Sequence, residues 1–187
     1  RIVVVGEAWG EHQQGNPTKQ KRGFVLELSF AAATLAEVVN PATFAWHSSN
    51  QAIAPDGESG YVTVGYNCEP MVTPCNDWKG ALRWFSPGGA ELKVQLVTGV
   101  ALLNDVALSP AGYAVVAGAA VPSDEGFLVR AWSRSTSKPL LHYQSMKTKL
   151  QVATGIAADP VGFIVAGGYY QEANDTLVAG VAKLHPY

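Results

Sequence analysis

The stretch Asn104-Asp-Val-Ala-Leu-Ser-Pro-Ala-Gly-Tyr-Ala-Val-Val-Ala-Gly118 decides the fold, because it reads as strand, turn and strand in quick succession. Pro110 presets φ for a turn, and Gly112 accepts the positive φ that other residues resist. The β-branched and aromatic run from Tyr113 to Ala117 suits a buried strand. Its closing Gly118 permits a bulge or a close backbone approach.

The same pattern recurs along the chain. Pro160, Gly162 and Phe163-Ile-Val-Ala-Gly167 repeat it downstream. Upstream, Pro55, Asp56 and Gly57 precede a short insertion and then Tyr61-Val-Thr-Val-Gly65, and the chain opens on Ile2-Val-Val-Val-Gly6. The glycines Gly6, Gly65, Gly118 and Gly167 are 59, 53 and 49 residues apart, a spacing that fits a propeller blade with variable loops. Each copy continues into a polar loop and another strand: Gly23 to Ser29, Gly80 to Ser86, Gly126 to Ser133 and Thr176 to Lys183. Thr34 to Val39, Glu91 to Val97 and Pro139 to Gln144 supply a further strand in three copies, and Asn104 to Ser109 and Thr154 to Ala158 precede the turn in two. Four short antiparallel strands per unit predict an all-β chain, a β-propeller or a piece of one, with repeats at 1–44, 45–98, 99–146 and 147–187. The first and last units are incomplete, and almost no helix is expected.

The third unit, through Asp105-Val-Ala-Leu-Ser-Pro-Ala-Gly112 and Phe127-Leu-Val-Arg130, resembles a family of bacterial propeller repeats with a core of the form D-V-A-L-x-P-x-G-x-x-V-V-A-G. Ser86-Pro-Gly-Gly89 matches the polar turn of such repeats. The resemblance covers most of the chain and implies a module of secreted or surface proteins that carries no common catalytic residues.

Composition narrows the partners. Of 187 residues 48% are hydrophobic and 15% charged, and the net charge is -2, so a sizeable core is available and no positive field exists to hold nucleic acid. The one dense basic cluster, Lys19, Lys21 and Arg22, reads as a solvated loop tip. No apolar run approaches the roughly 20 residues that cross a bilayer as a helix, so membrane insertion is not expected. The chain begins at Arg1 inside a hydrophobic strand pattern and reads as a processed product or as part of something larger. Open end faces would then be covered by the remaining blades of a larger propeller, by a second copy in a homodimer, or by closure into a four-bladed ring.

Cys68 and Cys75 flank a loop with two prolines. A local disulfide there fits an extracellular, cell-surface or periplasmic protein; free thiols are the alternative, and zinc would need two more ligands that do not accompany the pair. His12, His47, His142 and His185 share no metal-ligand spacing, the acidic loop residues lack a calcium-loop pattern, and Gly57-Glu-Ser-Gly60 has the wrong spacing for a nucleophile elbow. No catalytic residue, metal site or cofactor is assigned. Trp84 and Trp132 lie on strands and serve packing, whereas Trp9 and Trp78 fall in or beside the long loops Glu7–Arg22 and Asn67–Lys79. Trp9, Trp78, Glu11 and Asp77 are therefore the candidate ligand-binding residues, for a carbohydrate or protein partner. A non-catalytic binding or scaffold module is the first reading. The alternative is a hydrolase or lyase whose site is built at a channel mouth by loops of several blades.

Overall fold

The computed structural model describes residues 2–10, 20–29, 34–39, 47–56, 58–69, 77–120, 126–145, 151–172 and 175–185. They form fourteen strands in four antiparallel sheets, with no helix among the described residues. The first sheet holds β1 (Ile2–Gly10), β2 (Gln20–Leu28) and β3 (Thr34–Val39). The second holds β4 (His47–Pro55), β5 (Tyr61–Glu69), β6 (Asp77–Phe85) and β7 (Glu91–Val97). The third holds β8 (Val100–Leu108), β9 (Ala114–Ala120), β10 (Phe127–Trp132) and β11 (Leu141–Ser145). The fourth holds β12 (Gln151–Ala158), β13 (Ile164–Gln171) and β14 (Leu177–Leu184). Within every sheet the strands meander, each pairing with its neighbour in sequence.

A bulge opposite a glycine recurs in three of the sheets. In the opening strand of the last three sheets a residue drops out of register at an equivalent place, Gln51 in β4, Asn104 in β8 and Thr154 in β12, and β8 skips Ala101 as well. The preceding residues Asn50, Leu103 and Ala153 pair with Gly65, Gly118 and Gly168. A bulge bends its strand and presses backbone toward the partner. A Cβ on these glycines would lie 2.1, 2.2 and 2.0 Å from the carbonyl oxygens of Ser49, Leu102 and Val152. Glycine is needed because no side chain fits. The closing glycine of the last copy is thus Gly168 and not Gly167, whose Cβ would meet nothing within 4 Å.

The turns before β5, β9 and β13 obey the same register. Asp56, Ser109 and Asp159 each use a side-chain oxygen to accept the backbone N–H four residues on, from Gly60, Tyr113 and Phe163. Three residues after each acceptor the chain is left-handed: Ser59 at φ 73°, Gly112 at 79° and Gly162 at 95°. The Pro55-Asp-Gly57 triplet is therefore not the counterpart of Pro110-Ala-Gly112, as its spacing predicted. Pro55 ends β4, and the left-handed place belongs to Ser59.

The sheets stack through their opening strands. β4 lies against β1 and β2, β8 against β4, β5 and β6, and β12 against β8, β9 and β10. Val3, Val5 and Val25 meet Ile53, Tyr61 and Phe85 between the first two sheets. Val62, Val64, Leu82 and Trp84 meet Val100, Leu103, Val116 and Leu128 between the second and third. Val115, Ala117 and Val129 meet Ala153, Ile164 and Ala166 between the third and fourth. Strands β9 and β10, covered on both faces, are buried along their whole length.

Candidate functional site

The described ends of two regions predicted as loops are paired strands. The ladder of β1 and β2 continues from Glu7 opposite Gly23 to Gly10 opposite Gln20, and that of β5 and β6 runs on to Cys68 opposite Trp78 and Glu69 opposite Asp77. Backbone groups there are satisfied by cross-strand pairing, so the arms stay extended past the glycines. Trp9 pairs in register with Lys21, and Asp77 opens β6. Glu11 and Cys75 lie outside the described residues.

Trp78 is 38% exposed and stands edge-on to Tyr66, with ring centroids 4.9 Å apart and planes at 72°. Edge-to-face contact fixes the indole while leaving part of it open to solvent. The Tyr66 hydroxyl donates to Glu7 Oε1 at 3.2 Å, and Gln51 Nε2 donates to the same oxygen at 2.8 Å. Gln51 is the bulge residue of β4, and the bulge turns its amide toward β1. Burial first, then the charge and hydrogen bond of Glu7, raise the Tyr66 hydroxyl far above the usual tyrosine range, so it stays a donor at all ordinary pH. An aromatic pair, a carboxylate and an amide thus converge from β1, β4, β5 and β6 across the junction of two sheets.

Beneath this cluster lies a buried polar network. Arg83, on β6, donates to Asn50 Oδ1 at 3.3 Å and to Asn67 Oδ1, and its Nε stands 3.8 Å from Glu91 Oε2. Thr63 Oγ1 also donates to Asn50 Oδ1, and Asn50 Nδ2 donates to the Phe24 carbonyl of the first sheet. Burial pushes the Arg83 guanidinium down to about 10, against the pull of Glu91, whose own carboxyl is raised by burial. The network locks β4 and β5 onto β2, which holds Gln51 and Tyr66 in reach of Glu7.

Two clefts open between sheets at the turn end. One, of about 390 Å³, is lined by Asp56, Glu58, Trp84, Tyr113 and Arg134. Arg134 already fills its polar side, 2.7 Å from Glu58 and 3.6 Å from Asp56. The other, of about 270 Å³, is apolar, with Pro110, Tyr113, Pro160 and Val161 in its walls. No group of three or more His, Cys, Asp or Glu among the described residues comes together in a way that could hold a metal.

Of the four sequence-predicted residues, the structure brings Trp78 into a built cluster. Sequence reasoning missed Tyr66 and Gln51, and it placed Glu7 only as one of several loop acids. The signal for Gln51 was a polar residue at the position that Asn104 and Thr154 occupy in the later strands. Cys68 is fully buried and is not a free thiol. The sequence matches no protein-family model, and a search of curated proteins finds none similar to it.

Proposed function

We propose that this chain is a run of β-propeller blades acting as a non-catalytic binding module of a secreted or surface protein, with a glycan ligand held at the Trp78 cluster. The observation that carries the reading is the partly exposed indole of Trp78 beside the Glu7 carboxylate, the Gln51 amide and the Tyr66 hydroxyl. Pyranose rings present an axial C–H face that stacks on an aromatic ring, and hydroxyls that pair with carboxylates and amides. Trp9 lies near the end of β1 and Asp77 opens β6.

The blade reading is supported by the stacked antiparallel sheets, by the repeated bulge opposite glycine, and by the resemblance of Asp105–Gly112 and Phe127–Arg130 to bacterial propeller repeats. The compartment follows from a Cys68–Cys75 disulfide, supported by a buried Cys68 that is not a free thiol in a chain with two cysteines. Alkylation of the unreduced protein should leave its intact mass unchanged.

The test is tryptophan fluorescence during titration with soluble oligosaccharides drawn from a polysaccharide panel. Saturable quenching that Trp78→Ala weakens by up to about tenfold is expected, since an aromatic stack contributes about 0.5–1.5 kcal/mol. Quenching that Trp78→Ala leaves unchanged, or saturable binding of a protein but no oligosaccharide, would overturn the glycan reading.

A further inference from the structure

Two arginines occupy the same place in the second and third sheets with opposite surroundings. Arg83 pairs with Thr63 and Arg130 with Val116, each two residues before the glycine that faces a bulge. Asn50 and Asn67 accept from Arg83, and Glu91 supplies its counter-charge. In the third sheet the places of Asn50 and Asn67 fall to Leu103 and Ala120, both buried and apolar. Among the described residues no carboxylate pairs with Arg130.

What Arg130 has instead is weak. Its Nη1 donates to the Thr98 carbonyl at 3.4 Å, its Nη2 stands 3.4 Å from His142 Nε2, and its Nε is buried with no partner. The residue is 9% exposed, between Leu128 and Trp132 in the strand. A guanidinium stays charged at ordinary pH, and a buried charge without a counter-charge is costly. Burial accordingly lowers the pKa of Arg130 from its usual value. It does the same to Lys93 on β7, which also has no acid beside it and donates to the carbonyls of Arg134 and Thr136.

Nε and Nη2 form one edge of the planar fork, the kind of edge that matches two oxygens of a carboxylate, phosphate or sulfate. The group at that edge is the exposed ring of His142, whose Nε2 is also 3.4 Å from Gln144 Oε1. In a neutral ring this nitrogen accepts from Arg130 or donates to Gln144, and cannot do both. The cover over the guanidinium edge is therefore loosely held.

We propose that Arg130 is an oxyanion-binding site: a carboxylate, phosphate or sulfate group docks on its Nε–Nη2 edge, displacing His142 Nε2, and supplies the counter-charge that Glu91 gives Arg83. The site is drawn from the middle of the chain and shares no residue with the Trp78 cluster, so the glycan titration and this test fail independently.

Nitrogen-15 NMR of the full chain, titrated with acetate, phosphate or sulfate at an ionic strength fixed with sodium chloride, reads it. At least one of the three should shift the Arg130 Nε–H and the His142 amide saturably, while the Arg83 Nε–H stays in place. A response to acetate identifies a carboxylate ligand, and a response to phosphate or sulfate without acetate identifies a phosphorylated or sulfated one. Arg130→Lys keeps the charge but not the fork, and should weaken the His142 shift by about tenfold or more, the loss of one charge-assisted hydrogen bond. Arg130→Leu, an apolar side chain against an apolar wall, should fold and lose the response altogether. No saturable shift with any of the three ions, or a response unchanged in Arg130→Lys or Arg130→Leu, would overturn the proposal.

Discussion

Adjacent glycines in β13 should respond to alanine with opposite signs. A Cβ on Gly168 would stand 2.0 Å from the Val152 carbonyl oxygen and 2.9 Å from Ala153 Cα, both backbone atoms that cannot rotate away. Reaching an ordinary carbon–oxygen contact of about 3.3 Å requires the bulge of β12 to retreat by about 1.3 Å. Overpacking of this kind costs about 1–3 kcal/mol, and loosening a ladder hydrogen bond beside the bulge adds about 1 kcal/mol. The expected loss for Gly168→Ala is about 2–4 kcal/mol. Gly167→Ala meets nothing within 4 Å, and alanine is favoured over glycine in a strand by about 0.5–1 kcal/mol. Urea unfolding followed by tryptophan fluorescence, at one fixed protein concentration, reads both. With a slope of about 2 kcal/mol per molar, Gly168→Ala should lower the midpoint by about 1–2 M while Gly167→Ala raises it slightly. Equal effects, or the larger loss at Gly167, would refute the bulge register and with it the equivalence of the sheets.

Three further outcomes are expected. Ser59→Gly should stabilise the chain by about 0.5–1 kcal/mol, because a left-handed serine at φ 73° carries about 1–2 kcal/mol of strain that glycine relieves at some entropic cost; an unchanged or lower urea midpoint would contradict this. Leu82→Ala, in the core between the second and third sheets, should cost about 2–5 kcal/mol, whereas exposed Leu92→Ala should stay within about 0.5 kcal/mol. The Tyr66 hydroxyl has a folded pKa raised above its unfolded value of about 10, so its contribution is fully present below pH 10 and is lost as pH rises beyond it, where only the unfolded chain ionises. Stability should therefore fall between pH 9 and 11 by less in Tyr66→Phe than in the wild type, and identical falls would show that Tyr66 is not so shielded.

The strands were legible because apolar β-branched runs alternate with Pro, Gly and Asn punctuation, and tertiary packing did not override them. Exact equivalence was not. Closing the last copy at the first glycine after Phe163-Ile-Val-Ala aligned Gly167 with Gly118, although Gly168 lies as far beyond Pro160 as Gly118 lies beyond Pro110; the bulge at Thr154 and the contact with Val152 single out Gly168. Likewise Pro55 looked like the start of a Pro-x-Gly turn, but Asp56 capping Gly60 moved the left-handed residue to Ser59. At the candidate site Trp78 was visible as an aromatic in a polar stretch. Glu7, Gln51 and Tyr66 were not visible as its companions, since they come from three strands in two sheets and meet only in the fold, where Glu7 accepts from both Gln51 and Tyr66.

Hydrogen–deuterium exchange of the full chain, read by mass spectrometry, tests the stacking of like sheets most directly. Strands sandwiched on both faces open only with the whole fold, whereas those at the ends of the stack open locally. The slowest amides should lie in β8, β9 and β10, from Val100 to Trp132, with β1 to β3 and β14 exchanging sooner. Fast exchange across Val100–Trp132 together with a protected core in the first or last sheet would contradict the stacked arrangement.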